Sequence, residues 1–324
     1  MNTKKMISAA LAAFAAVACE TEYVGLSEKA DDSVQLEVRL PSKQTKAQVA
    51  GIESENAVND LQVFVFDHNK MLEAYGQSST STLKVSCSSG QKEIVALVNA
   101  KPLTDVVSMT DLAGRRTLLS DNSVGSFVME GSTVKTLTAA STVEIPVKRI
   151  ASRVALTGIS VDFELEQHNA QTFQVNSIYL VNVAGDRTYL NAGKPESWCS
   201  KMTYESSAPS VTNVTLTNTF ISNVSAYTKT HYLYCYPNPT SNDASGGTWS
   251  ARHTRLVVEA ELGGKKYYYP VTLPELKSNT AYSVSMKITR PGSASPDKPV
   301  DSLAATFSVS VQPWDDEIVL NETI

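Results

Sequence analysis

Residues 33–47 read SVQLEVRLPSKQTKA, and no other stretch limits the fold of this chain as tightly. Val34, Leu36, Val38 and Leu40 alternate with Ser33, Gln35, Glu37 and Arg39, the period of a strand that buries one face. Pro41 cannot continue a central sheet, and Ser42, Lys43, Gln44, Thr45 and Lys46 bring nothing apolar to bury. A trypsin-like protease can reach the backbone of such a loop. Two readings follow. One is an ordinary first strand and its loop. In the other the strand is detachable: a cut after Lys46 frees residues 19–46 to leave and uncovers a hydrophobic groove.

Upstream, Lys4 and Lys5 precede an apolar run over 6–18 that ends Ala16, Val17, Ala18, Cys19. This predicts an export signal over 1–18, with an apolar core too short for a membrane span. A cysteine directly after small residues resembles a bacterial lipobox, in which Cys19 becomes the lipidated mature N-terminus; plain secretion with an incidental cysteine is the alternative. Lipid would hold the protein at a membrane surface and leave its body soluble. Residues 20–32 are polar and acidic, as in a flexible tether.

Beyond Cys19 the chain is long enough for two cores, since a single core seldom grows past ~250 residues. A net charge of -5 and a pI near 5.5 argue against a nucleic-acid partner. Cys87, Cys199 and Cys235 show no CxxC spacing, so neither a disulfide framework nor a zinc site is indicated. In an oxidising compartment one pair among them could form, and the spacing does not say which.

The body reads as short strands. In 58–67, Leu61, Val63 and Val65 share one face and Phe64 and Phe66 the other, which predicts a central strand buried on both sides. Strands are expected at 83–87 and 93–99 around Ser88, Ser89 and Gly90. Over 102–119, Leu103, Val106, Val107, Leu112 and Leu118 suit a short helix or two, ended near Gly114. Residues 127–129 and 143–147 are extended, and 147–161, with Lys148, Arg149 and Arg153, reads as the crossing between two β domains. The runs 173–183, 211–214, 231–236, 255–262, 265–273, 281–289 and 306–311 follow at sandwich spacing, with Gly263 and Gly264 as a two-residue hairpin signal. The expected class is mainly all-β: two largely antiparallel β-sandwich domains in series, 47–150 and 151–324, with a few short helices.

Chemistry is sparse. His68, His168, His231 and His253 are scattered, and no GxSxG elbow is present, so no catalytic residue, cofactor or metal is expected. Asp315, Asp316 and Glu317 suit a solvated turn better than a calcium or acid/base site. Tyr232, Tyr234, Tyr236 and Tyr267, Tyr268, Tyr269 suit packing better than a sugar platform. After the strand at 307–311 comes a break, Gln312-Pro313-Trp314-Asp315-Asp316, and then EIVLNETI at 317–324, where Ile318, Leu320 and Ile324 share a face. A strand removed at one end and a strand offered at the other make a head-to-tail contact that does not close. Burying three or four aliphatic side chains that way is worth roughly 6 to 10 kcal/mol before ordering costs.

The order of these segments resembles the fimbrillin pilins of Bacteroidales, the FimA-like lipoproteins of type V pili. The likeness rests on the lipobox at Cys19, the alternating strand with Lys46 in the next loop, VNDLQVFVFD, and VALVNA at 95–100. It continues in VKRIASRVAL at 147–156, YYPVTL at 268–273, YSVSMKITRPGSASPDKP at 282–299 and SVSVQPWDDE at 308–317. It implies a transthyretin-like two-domain sandwich, lipoprotein export to the outer membrane, and cleavage by an Arg- or Lys-specific protease. It also implies polymerisation by donor-strand exchange with self or homologous subunits, in a fimbria that supports adhesion and biofilm formation. Carried over, cleavage falls between Lys46 and Ala47. The removable strand carries Val34, Leu36, Val38 and Leu40, and the donor strand Ile318, Leu320 and Ile324. The best-known members have arginine where Lys46 stands, which leaves Arg39 and Lys43 as other sites, Arg39 being shielded inside the strand. The rival function is a monomeric surface lipoprotein that binds a glycan or host protein through its tyrosine-rich strands.

Overall fold

The computed structural model describes residues 23–24, 33–41, 53–199, 211–212, 226–240, 243, 251–298 and 305–314. The first part of the chain holds β1 (Tyr23–Val24), β2 (Ser33–Arg39), β3 (Leu61–Phe66), β4 (Leu72–Ser78), β5 (Thr82–Ser88) and β6 (Gly90–Val98). Then come α1 (Met109–Gly114), β7 (Arg116–Leu118), β8 (Met129–Leu137), β9 (Ser141–Glu144) and β10 (Lys148–Arg149). The second part opens with β11 (Ser152–Val161), α2 (Glu166–Asn169), β12 (Phe173–Val181), β13 (Val183–Ala184), β14 (Asp186–Thr188) and β15 (Trp198–Cys199). It ends with β16 (Val211–Thr212), β17 (Ala226–Tyr227), β18 (His231–Cys235), β19 (Arg255–Leu262), β20 (Lys265–Thr272), β21 (Thr280–Ile288) and β22 (Ala305–Pro313).

In the first part a six-stranded sheet, ordered β1-β4-β3-β6-β8-β10, faces a three-stranded sheet ordered β5-β2-β9. Between them lies a core of Leu36, Val38, Leu61, Val63, Val65, Leu83, Val85, Ile94 and Val98 among others. Every residue of β3 is buried, as its two apolar faces predict. Its second face, Phe64 and Phe66, joins Tyr189, Trp198, Tyr236 and Trp314 in another apolar cluster, so the larger sheet is covered on both sides.

The second sandwich sets β17 and β18, β11, β21 and β22 against β12-β19-β20, around Val154, Leu156, Ile178, Leu180, Leu256, Val258, Val271, Val284 and Ile288. The segment 147–161 crosses from one sandwich to the other as expected, through β10 and β11. The expected hairpin is present: Leu262 pairs with Lys265, and Gly263 and Gly264 have φ of 56° and 82°, which β-carbon-bearing residues rarely adopt. α1 ends at Gly114, and its N-cap Ser108 accepts the Asp111 amide at 3.1 Å.

Four differences from the sequence reading carry information. β2 runs parallel to β9, β11 to β21 and β15 to β16, whereas the other strand pairs among the described residues are antiparallel. β6 starts at Gly90, earlier than the expected 93, and lies in a different sheet from β5, so the chain turns a corner between sheets at Ser88 to Gly90. β8 reaches from Met129 to Leu137; its outer half is polar and leaves Val134 exposed, as in an edge strand, so the apolar pattern shows only its start. Finally, β7 pairs with β14, and Arg116 binds Asp186 at 2.8 Å, so the two parts of the chain share a small strand ladder of their own.

Candidate functional site

The detachable-strand reading turns on how β2 is held. It is the middle strand of its sheet: Ser33↔Ser88 through Arg39↔Thr82 pair antiparallel with β5, and Leu36↔Ser141 through Arg39↔Glu144 pair parallel with β9. Beyond the ladder, the Leu40 amide donates to Ser81 O at 2.9 Å and the Ile145 amide to Arg39 O at 3.0 Å. Val34, Leu36, Val38 and Leu40 point inward at 9%, 0%, 0% and 8% exposure. The outward side is held lightly, by Gln35 Nε2 donating to Ser86 Oγ at 2.6 Å, Glu37 3.9 Å from Lys84, and Arg39 paired with Glu37.

Removing β2 would therefore leave a slot with unpaired backbone on both sides and an apolar floor. Nearly all of the hold is main-chain hydrogen bonding and aliphatic burial, which any strand of the same alternation can supply. Cys87 sits opposite Val34 in this slot, and burial, with the Glu73 carboxylate nearby, pushes its thiol up to about 11. Glu73 also accepts the Ser88 amide and the Lys92 ammonium at the corner where β5 leaves for β6. Of the other residues marked in the sequence, Cys19, Lys43, Lys46, Ala47, Asp315, Asp316, Glu317, Ile318, Leu320 and Ile324 lie outside the described residues. Arg39 is the last residue of β2: its backbone is paired on both sides, while its side chain is exposed.

A second cluster was missed by the sequence reading. The buried carboxylate of Glu55 receives Arg153 Nη1 at 2.9 Å, the Trp314 indole N–H at 2.9 Å and the Tyr234 hydroxyl at 2.7 Å. The Glu55 carbonyl accepts Arg149 Nε at 3.1 Å, and Arg149 also binds Asn56 and donates to Asn279 Oδ1 at 3.1 Å. The Trp314 ring lies under the guanidinium of Arg149 at 4.6 Å, stacks on Tyr234 at 5.8 Å and meets the edge of Phe127 at 5.4 Å. Glu55, Arg149, Arg153 and Trp314 are each at most 4% exposed. Hydrogen bonds to charged partners in so dry a place are among the stronger ones a protein makes. Glu55 occupies a polar ESEN segment without periodicity, and Trp314 reads in sequence only as part of a break.

The tyrosines are engaged in packing. Tyr236 and Tyr269 are 1% exposed, Tyr234 is half-buried in the Glu55 cluster, and Tyr232 lies 5.2 Å beneath Arg153. Cys87, Cys199 and Cys235 are all free thiols. Among the described residues, no group of three or more His, Cys, Asp or Glu is placed to hold a metal, and no helix is long and apolar enough to cross a membrane.

A family model for the major fimbrial subunit protein (FimA) matches residues 34–157, which begin at the first inward residue of β2. That family consists of structural subunits of the cell-surface fimbrium and not of enzymes. No curated protein matches the sequence. Among solved structures, a fimbrilin (FimA) from Porphyromonas gingivalis is 15% identical, with a TM-score of 0.67 over 90% of this chain and 99% of that one. A candidate cell adhesion protein from Bacteroides eggerthii is 16% identical, with a TM-score of 0.68 over 87% of this chain and 96% of the other. Another, from Parabacteroides distasonis, is 18% identical, with a TM-score of 0.64 over 87% of this chain and 99% of the other. At such identities the structural likeness speaks for the fold. The resemblance to the fimbrillins read from the sequence is thus met twice, by the family model over residues 34–157 and by the fold of both sandwiches.

Proposed function

We propose that the chain is a structural pilin subunit that is exported as a lipoprotein through Cys19, cut between Lys46 and Ala47, and polymerised by donor-strand exchange. In this reading residues 1–18 are the signal, 19–46 a lipidated tether with the removable strand, and 47–150 and 151–324 the two domains. Val34, Leu36, Val38 and Leu40 leave with the tether. Ile318, Leu320 and Ile324 of a neighbouring subunit, or of a homologous pilin, take their places. The partners are other pilin subunits, an Arg- or Lys-specific protease, the outer membrane before processing, and surface ligands of host or bacterium during adhesion and biofilm growth.

The observation that carries this reading is the position of β2. A strand central to its sheet, buried through alternate side chains and followed directly in sequence by a polar segment with two lysines, would on removal take one row of apolar side chains out of the first core and leave a site that only another strand fills.

Limited trypsin treatment of the purified mature protein tests it. The expected result is a new N-terminus at Ala47 together with ladders on unboiled SDS gels, lost when residues 318–324 are deleted. Cleavage there that leaves a stable monomer would favour the surface adhesin instead, and ladders that survive the deletion would remove the donor role from the C-terminal segment.

A further inference from the structure

The Glu55 cluster gathers segments far apart in sequence, and two of them matter for assembly as read above, on which this inference rests. Glu55 and Asn56 follow closely on the proposed cut, so they belong to the part of the chain that stays when residues 19–46 leave. Trp314 directly precedes Asp315 and the segment 318–324. The root of the processed N-terminus and the root of the proposed donor strand therefore meet on one carboxylate.

Trp314 is held from several directions. Its indole donates to Glu55 Oε2 at 2.9 Å, the oxygen that also takes Arg153. Its backbone amide donates to Asn279 O at 3.0 Å, and the Asn279 amide donates in turn to Ala151 O at 2.9 Å. Asn279 stands at a φ of 51°, a left-handed conformation that an asparagine tolerates and that aims its carbonyl at the amide beyond Pro313. β22 could end at Pro313 with no such anchoring, because proline donates nothing to a ladder. The anchoring instead begins one residue later, at the point where the chain leaves the sheet.

We propose that the junction of Glu55, Arg153 and Trp314 is the positioning site of the donor segment: it fixes where the C-terminal segment leaves the subunit. A segment hinged freely at its root would lose more conformational entropy on entering a neighbour's slot than one whose root is already ordered. All members of the junction survive removal of residues 19–46, so the exit point is the same before and after processing. The path from Trp314 through Glu55 to Arg153 also leads into β11, which pairs with β18 and β21, so tension along a fibre is passed to a strand inside its sheet.

Donor and acceptor roles can be separated to test this. An uncleaved chain keeps β2 in its own slot and can only donate; a cleaved chain without residues 318–324 can only accept. Mixing the two and following heterodimer formation isolates each role. Trp314→Ala placed in the donor is expected to slow capture by about tenfold or more, the scale of ordering one extra residue. The same substitution placed in the acceptor should leave capture within about twofold of the wild-type pair, since Trp314 lies outside the slot and separate sites couple only weakly. Trp314→Phe, which keeps ring packing but lacks the indole donor, should fall between in the donor role. Equal slowing in both roles would mark Trp314 as merely structural and overturn the proposal, as would no slowing in either. If the wild-type pair fails to form heterodimer, strand exchange itself falls and this inference falls with it.

Discussion

The slot that holds β2 and the junction around Glu55 are both buried, and both tie together segments remote in sequence, yet they are built from opposite materials. The slot uses alternating aliphatic side chains and main-chain hydrogen bonds, with only light polar pairing on its outer side. The junction uses a carboxylate, two guanidinium groups, an indole and a phenol, each met at hydrogen-bonding or stacking distance. Aliphatic burial and main-chain hydrogen bonds accept any strand of matching pattern, because every strand carries the same backbone groups, whereas side-chain hydrogen bonds accept only the particular groups placed to make them. In the proposed exchange, the segment that leaves is thus held by interchangeable contacts, and the segments that stay are held by specific ones.

The sharpest way to break this contrast is to compare one substitution from each region before and after processing. Glu55→Ala strands Arg153, the Trp314 indole and the Tyr234 hydroxyl without their shared acceptor, which should cost about 3–5 kcal/mol. The loss should appear in thermal unfolding of both the uncleaved chain and the cleaved one. Leu36→Ala should cost the uncleaved chain about 2–5 kcal/mol, because its side chain is fully buried between the sheets. A polymer grown from the cleaved Leu36→Ala chain should melt like wild type, since Leu36 has left. If that polymer were weakened as well, the strand would not have been removed.

Thiol labelling sharpens the comparison further. In the uncleaved chain Cys87 is shut in the slot with its thiol pushed up to about 11, mainly by burial, so it should resist maleimide. A cleaved chain lacking residues 318–324, once rid of 19–46, should label at Cys87 at least ~10-fold faster as the thiol regains water. Cys235 in the second core should stay inert in both, its thiol raised to about 12 by burial alone. Equal labelling of Cys87 before and after would mean that the slot never opens.

The smallest effect concerns the corner between β5 and β6. Burial alone would raise the Glu73 carboxyl, but hydrogen bonds from Lys92 and Ser88 outweigh it and hold it below its ordinary 4.5. A carboxyl depressed in the folded state contributes stability that is present above 4.5 and lost as pH falls through the lower folded value. Glu73→Gln should therefore flatten acid unfolding over that window and leave the melting point's pH dependence near neutrality unchanged. Identical acid curves for the two proteins would show that Lys92 and Ser88 do not stabilise the charged form.

How much could be read in advance varied with the kind of signal. β2 and β3 were legible because alternation and two-faced apolarity report directly on what each face of a strand touches. The Gly263-Gly264 hairpin was legible because few other residues adopt positive φ in succession. The parallel pairing of β2 with β9 was not, since side-chain period does not depend on which neighbour takes the backbone hydrogen bonds. Glu55 was invisible for a related reason: a buried carboxylate in a short polar segment looks like any solvated one until its partners are assembled around it.

By itself, then, the sequence determined that this is a mainly β chain, that the strand at 33–39 buries one face, and that a polar loop with two lysines follows it. Those are local properties, written in spacing and composition. Only the tertiary structure decided that this strand lies in the middle of its sheet and that Glu55, Arg149, Arg153 and Trp314 converge between the two sandwiches. Convergence of residues so far apart along the chain depends on how the sheets stack, and sheet stacking is a property of the whole packed core that no single segment encodes.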